Sequence, residues 1–331
     1  MATPLNAEDS LGAATSEVPM DALEGAAPIA ISKASPVKVA GAYLACALIW
    51  GTTWYAIRVC IGPDGYPTYA AAAWRFTLST TVLAVIWLAI RKKIKRPSFV
   101  EFKWISVAGL LSGVAYGLLY ASEEHISGGL AAVISATSPL MAALLAMRMK
   151  LESPRKATII GSLVAIAGVA FVFHDRMQIS VAQASAVGIL LFNSMLNSSS
   201  NALMKQHGHH VVALASNTIF FASAALLLWS ISLFTHGNAL PLPLPLVPTL
   251  ALLYLTIFGT LIAFASFFYL LKHTRLSTAM TLSFVTPMIA LLIDAFFEKH
   301  NVLTPETYLG IAVVLIGVII SVVKKSEAPL V

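Results

Sequence analysis

The stretch Ser135–Met147, SATSPLMAALLAM, returns as Ser283–Ala295, SFVTPMIALLIDA, so that Pro139 recurs as Pro287, 148 positions further on. Gly161 and Gly168 return as Gly310 and Gly317 at the same spacing, this time with a shift of 149. Two independent spacings that agree mark an internal repeat. Carried back along the chain, the shift aligns Ser122-Glu123-Glu124-His125 with Leu270-Leu271-Lys272-His273, so equivalent loops bear opposite charge.

The composition says where such a repeat lives. Of 331 residues, 58% are hydrophobic and 11% are Asp, Glu, Lys or Arg, less than half the ordinary charged fraction of about 25%. Together with a mean hydropathy of +0.83, this leaves too little polar surface for a soluble domain and excludes disordered and collagen-like chains. Residues 38–331 accommodate ten spanning helices of roughly 20 residues each, joined by short loops. Apolar windows place them at about 40–61, 68–90, 102–122, 127–149, 156–174, 183–205, 211–235, 247–271, 277–297 and 304–323. Residues 1–37, rich in Ala, Pro and Ser, read as a disordered cytoplasmic tail without the basic and apolar regions of a signal peptide. The two cysteines, Cys46 and Cys60, share the first span, about 21 Å apart along a helix, too far for a disulfide.

Loop charge tests the count. The loop after the first span has no Lys or Arg, whereas the next holds Arg91, Lys92, Lys93, Lys95 and Arg96. Alternating sides from there places 17 of the 21 Lys and Arg on one face, with only Arg176 and Lys299 opposite and Arg58 and Arg75 inside spans. The positive-inside bias predicts an even number of spans in the inner (plasma) membrane, with both the N-terminal tail and residues 324–331 cytoplasmic. The net charge of +6 is then topological, and nucleic acid is excluded as a partner, because the cations are dealt singly and in pairs to alternate loops. The expected partners are the lipid bilayer and a small-molecule substrate, with a homo-oligomer left open.

Ten spans in two copies means five per copy, and an odd number forces the second copy to enter the membrane upside down. The predicted fold is therefore an all-α integral membrane protein of two inverted five-helix repeats, 38–176 and 177–323, the arrangement of secondary transporters that rock about a central site. Residues Leu48–Ile57 (LIWGTTWYAI) and Tyr69–Phe76 (YAAAAWRF), with Ser-Pro and Thr-Pro helices ending near Glu152 and Glu298 and followed by glycine-spaced terminal helices, resemble the EamA group of the drug/metabolite transporter superfamily. The resemblance runs over roughly residues 40–323, although Glu152 stands 13 residues after its proline and Glu298 only 11. It implies export of small metabolites, amino acids among them, or efflux of drug-like solutes.

Several faces are candidates for the substrate site. Trp50, Thr53, Trp54 and Arg58 share one face of the first span and suit an amphipathic metabolite with a carboxylate, or else pack and snorkel. Arg75 lies some 10 Å into the second span, where an unpaired charge in lipid is costly, so it must find a binding or a structural partner. Asp294, near the outer end of the ninth span, is expected to form a gate-side ion pair with Arg58 or Arg75. Ser112, Tyr116 and Tyr120 match Thr260, Phe264 and Phe268 under the repeat shift. Asn193, Asn197 and Asn201 form a four-residue stripe that needs either a hydrated cavity or interhelical hydrogen bonds. Pro139 and Pro287 are expected to break their helices and to free the carbonyls of Ser135 and Ser283 for substrate.

Other signals are bland. His207, His209 and His210 lack a neighbouring acid or cysteine, so no metal is expected; nor is a cofactor. The prolines at 241, 243, 245 and 248 read as a stiff loop. No GxxxxGK[ST] sequence supplies an ATP motor. A nucleotide-sugar or sugar-phosphate exchanger, with Lys272 and Arg275 on phosphate, is the alternative within transporters. A lipid-linked transferase is the alternative outside them, and it should gather acids or histidines on one face, which this sequence does not; the chain is read as a non-enzyme.

Overall fold

The computed structural model describes residues 35–322 except 91, 93–95, 149–155, 175–180, 209, 236–242, 275 and 298–304. Residues 1–34 and 323–331, Glu152, Glu298, Pro241, His209 and much of the basic loop after residue 90 therefore lie outside the described residues. Local chemistry sets the helix ends. Pro36, whose fixed φ and missing N–H suit a first helical position, opens α1 (Pro36–Cys60), so the last residues assigned to the tail are helical. After α2 (Thr68–Ile90), Ser98 and Glu101 close a capping box at the start of α3 (Phe99–Glu123), with Ser98 N donating to Glu101 Oε2 at 2.7 Å.

The fourth span is broken. Ser127 Oγ caps α4 (Gly128–Ser135) by accepting from Leu130 N, and after a turn at Ala136–Thr137 the chain resumes as α5 (Ser138–Arg148). Pro139 stands in the first turn of α5, where its missing N–H costs nothing. The carbonyl of Ser135 accepts from Ser138 Oγ at 2.6 Å, so the backbone acceptor at the break is satisfied within the turn. There follow α6 (Lys156–His174), α7 (Val181–His207) and α8 (Ala213–Thr235).

The eighth span departs from a simple helix. Between α9 (Leu246–Thr256) and α10 (Ala263–His273), residues Ile257–Ile262 wind as a π-helix, and Thr260 Oγ1 donates to Leu255 O five residues back. The ninth span is also broken, as α11 (Leu276–Ala279) and α12 (Leu282–Phe297), before α13 (Pro305–Val322). Its break falls at Met280–Thr281, whereas Pro287 lies inside α12. The two prolines thus differ: Pro139 begins a half-helix, and Pro287 is accommodated within one.

Among the described residues there is no strand. Among the same residues four helical segments are both long and apolar enough to cross a bilayer: α2, α3, α8 and the continuous Leu246–His273; the broken spans and α13 supply shorter apolar helices. Packing follows the repeat. The helix pairs α6 with α13, α2 with α8, α3 with α7, and α1 with the α9–α10 segment are the principal neighbours, a set that maps onto itself when each span is exchanged for its equivalent 147 to 149 residues away. A Cβ built on Gly168 would lie 2.6 Å from Val314 N, and one on Gly317 would overlap Gly161 O and Ala165 N. Residue 168 thus meets 314 while 317 meets 161–165, so α6 and α13 run antiparallel. Likewise Thr52 bonds Tyr254 and Trp50 bonds Gly259 O, while Cys46 bonds Ala263 O, so α1 runs antiparallel to the eighth span.

Backbone contact at the α6–α13 crossing requires glycine. Gly168→Leu should therefore force these helices apart and destabilise the protein by about 1–3 kcal/mol; a lowered midpoint of thermal unfolding in detergent, relative to an exposed control such as Leu163→Ala, checks this.

Candidate functional site

A cavity of about 110 Å³ lies where α1, α2, α3, α7, the π-helical eighth span and both broken spans meet. The sequence-derived candidates converge on it: Trp50, Thr53, Trp54, Arg75, Tyr116, Asn193, Asn197, Asn201 and Ser283 all line it, while Tyr120, Arg58, Asp294, Pro139 and Pro287 do not. Ser138 and Thr286, the residues before the two repeated prolines, do line it. The fourth and ninth spans thus bring hydroxyls rather than proline rings to the wall.

Arg75 is 1% exposed and is held entirely by neutral groups. Its Nε donates to Thr260 Oγ1 at 2.7 Å, Nη2 to Gly259 O at 3.0 Å and Nη1 to Tyr120 Oη at 3.3 Å. Its Cζ stands 5.1 Å from the Tyr116 ring centre, within cation–π range. The expected pairing of Arg75 with Asp294 is therefore not formed, because the guanidinium points at the π-helical turn instead. Tyr120 serves Arg75 and not the cavity wall.

Gly259 and Thr260 are the functional-site residues that reading the sequence missed, apart from Thr260's place in a stripe. A π-turn offsets the i→i−4 ladder, and here Gly259 O accepts from both Arg75 Nη2 and Trp50 Nε1, the latter at 3.2 Å. A Cβ on residue 259 would sit 2.9 Å from Thr53 Cγ2 and 3.1 Å from Arg75 Nη2, so only glycine leaves room for these donors. The usable signal was a glycine followed by a hydroxyl residue in mid-span.

The polar stripe of α7 divides its labour. Asn193, Asn197 and Asn201 reach the cavity, with Asn201 Nδ2 also 3.8 Å from Met280 Sδ. The intervening serines tie helices together: Ser198 Oγ donates to Ser138 O and Ser200 Oγ to Ala108 O. Both sequence-derived alternatives, cavity and interhelical bonding, are thus realised on different residues. Aromatic rings complete the wall: Trp50 lies 5.4 Å from Phe264 and 5.0 Å from Phe267 between ring centres. Among the described residues, Arg75 is the one charged side chain on the wall.

Arg58 and Asp294 each bind the stretch of chain that leads from α3 into the first turn of α4. Arg58 Nη1 donates to Glu123 O at 2.9 Å and to Ile126 O at 2.5 Å, and Asp294 Oδ2 accepts from Gly129 N at 2.7 Å. Of the two arginines, Arg58 shares a structural element with Asp294. His207, far from this turn in sequence, stacks on Trp104 with ring centres 5.3 Å apart.

The model of the EamA-like transporter family matches residues 38–174 and again 184–323. The chain is similar to the inner membrane transporter YedA of Escherichia coli (strain K12), 26% identical over 293 residues that cover 87% of this chain and 92% of the relative. It is similar also to a probable terminal-alkyne amino-acid exporter of Streptantibioticus cattleyicolor, 28% identical with 86% and 93% covered. Protein PagO of Salmonella typhimurium is 24% identical, with 88% and 94% covered. A solved crystal structure superposes with a TM-score of 0.64 at 18% identity, covering 87% of this chain and 98% of the other, a likeness of fold.

Removing the Thr260 hydroxyl should leave Arg75 Nε without a partner. Thr260→Val is expected to lower stability by about 1–3 kcal/mol, measured as an earlier thermal transition in detergent, whereas Thr249→Val at the edge of the bundle should cost less.

Proposed function

The chain belongs to the EamA-like transporter family, and from that premise we propose that it is a secondary transporter carrying a small organic solute outward across the inner membrane by alternating access. The single observation behind this reading is the cavity on which both broken spans, the aromatic face of α10 and the amide stripe converge. Ten spans are counted as α1, α2, α3, α4 with α5, α6, α7, α8, the α9–α10 segment, α11 with α12, and α13. They form two inverted repeats, 38–176 and 177–323, with both tails cytoplasmic; the antiparallel run of α6 and α13 supports the inversion. Rocking of one repeat against the other would expose the cavity to each side in turn.

The proposed substrate is an amino acid or a related compound. Asn193, Asn197, Asn201, Ser283, Ser138 and Thr286 offer hydrogen bonds for polar groups, Trp50, Trp54 and Tyr116 offer apolar faces, and Arg75 supplies the positive field that favours a carboxylate. The similarity to a probable terminal-alkyne amino-acid exporter points to the same chemical class. Arg58 and Asp294, brought to one turn from different repeats, form the gate on the outer side. Members of a transporter family move solutes rather than convert them, and the scattered histidines of this chain agree with that.

The reading is tested by comparing untargeted metabolites in the medium of cells that overproduce or lack the protein, followed by counterflow of the solute so identified in proteoliposomes. Turnover of a lipid-linked donor by purified protein without counterflow would sink it. Asn197→Ala should raise KM for counterflow by about three- to tenfold, as loss of one neutral hydrogen bond does, while the amount of protein inserted in the membrane stays unchanged.

A further inference from the structure

Lys205 and Arg58 make the same bonds in the two repeats. Arg58 Nη1 donates to Glu123 O and Ile126 O; Lys205 Nζ donates to Leu271 O at 3.1 Å and Thr274 O at 2.7 Å. Lys205 lies 147 positions after Arg58, Leu271 lies 148 after Glu123, and Thr274 lies 148 after Ile126. Each cation is near the C-terminus of the first helix of its repeat, and each binds one carbonyl in the last turn of the third, α3 or α10, and one in the turn that follows it. The last carbonyls of a helix lack intrahelical donors and attract a cation, which explains why each nitrogen settles at that helix end. Two chemically different side chains thus serve one geometry.

The two pins stand at opposite ends of the bundle. Because α1 runs antiparallel to the eighth span, residues 271–274 lie beside the end where α1 begins, and Arg58 lies where it finishes. Each pin also adjoins its own apolar cluster. Ile126 packs in a cluster with Ile57, Cys60 and Tyr120, and Leu271 packs with Cys46, Leu276 and Met280. Beyond each pinned carbonyl pair the chain enters a broken span, α4 with α5 or α11 with α12, whose halves line the cavity.

We propose that Arg58 and Lys205 are a matched pair of positioning residues that hold the outer and inner turns ahead of the broken spans, so that the balance between them sets which side the substrate site faces. This rests on the alternating-access reading above and adds to it the roles of the two pins, Lys205 among them. Loosening the Arg58 pin frees the outer turn and favours the outward-open state, and loosening the Lys205 pin favours the inward-open state. A ligand-independent equilibrium moves by the stability lost from one state alone, so the two lesions act in opposite directions and together they cancel.

The two native cysteines report on it, since both are buried, one in each cluster. A membrane-impermeant maleimide is applied from either side of oriented vesicles holding the full chain. Cys60 is followed in a Cys46→Ala background and Cys46 in a Cys60→Ala background. Arg58→Met should speed labelling of Cys60 from outside by about tenfold, the population shift that loss of charge-assisted hydrogen bonds brings, without speeding Cys46. Lys205→Met should do the converse from inside. Arg58→Lys should behave as wild type, because a single nitrogen suffices at Lys205, and the double variant Arg58→Met with Lys205→Met should restore the wild-type ratio of the two rates. If Arg58→Met does not insert, Arg58→Gln, too short to reach both carbonyls, takes its place. Faster labelling of both cysteines in each variant, unchanged rates, or a double variant that adds the two effects would each overturn the proposal. Labelling needs no solute, so a wild-type protein without counterflow would count against the transport reading and not against the pins.

Discussion

A guanidinium sealed among apolar helices has to be met by dipoles, and the contact between Arg75 and the π-helical turn is the constraint around which the centre of this bundle is arranged. Desolvating a cation costs several kcal/mol, and Arg75 recovers this through Thr260 Oγ1, Gly259 O and Tyr120 Oη together with the face of Tyr116. A regular α-helix would have committed its carbonyls to its own ladder. The π-turn at Ile257–Ile262 leaves Gly259 O directed sideways, and the missing side chain at 259 gives Arg75 and Trp50 access to it. Three helices, α1, α2 and the eighth span, are fixed to one another at that oxygen. Everything on the cavity wall from these helices takes its position from it.

What could be read in the sequence follows from which forces are local. Helix ends and extents emerged closely, as at Thr68–Ile90 and Lys156–His174, because hydropathy and capping residues act over a few positions. The repeat emerged from the Ser-Pro and Thr-Pro stretches, since equivalent surroundings had retained equivalent residues. The π-turn did not, because IFGTLI has the hydropathy of any spanning segment and its offset arises only when Arg75 arrives from α2. The prolines misled in part for a related reason. Pro139 begins α5, but Pro287 is absorbed inside α12, and the break of the ninth span falls at Met280–Thr281, where Thr281 Oγ1 shares a hydrogen bond with Tyr43 Oη and Asn201 Nδ2 approaches Met280 Sδ. Tertiary anchoring, not the proline, selects the place of that break.

The candidate site was more legible than its mechanics. Spacings of three and four residues put Trp50, Thr53 and Trp54 on one face and the three asparagines on another, and helical geometry alone carries both faces to the same cavity. Which polar residues would bond between helices was not legible, because the carbonyls of Ser138 and Ala108 that stand opposite Ser198 and Ser200 are brought there by packing. Arg58 and Arg75 look alike as intramembrane cations in a sequence. One finds the carbonyl ends of α3, the other a π-turn, and only the packing of α1 and α2 separates the two outcomes.

The repeats are near copies, and where they differ carries physical meaning. The pins of Arg58 and Lys205 are matched, yet Asp294 reaches across from the second repeat to the first turn of α4, where Gly129 N is one of the helix N–H groups without an intrahelical acceptor. The position 148 residues before Asp294 is Ala146, which has no carboxylate to offer the start of α11. A symmetric pair of turns would leave the two faces of the site equally easy to open. A charge-assisted bond at a helix N-terminus, made across the repeats as Asp294 makes it to Gly129 N, raises the free energy of separating those two elements.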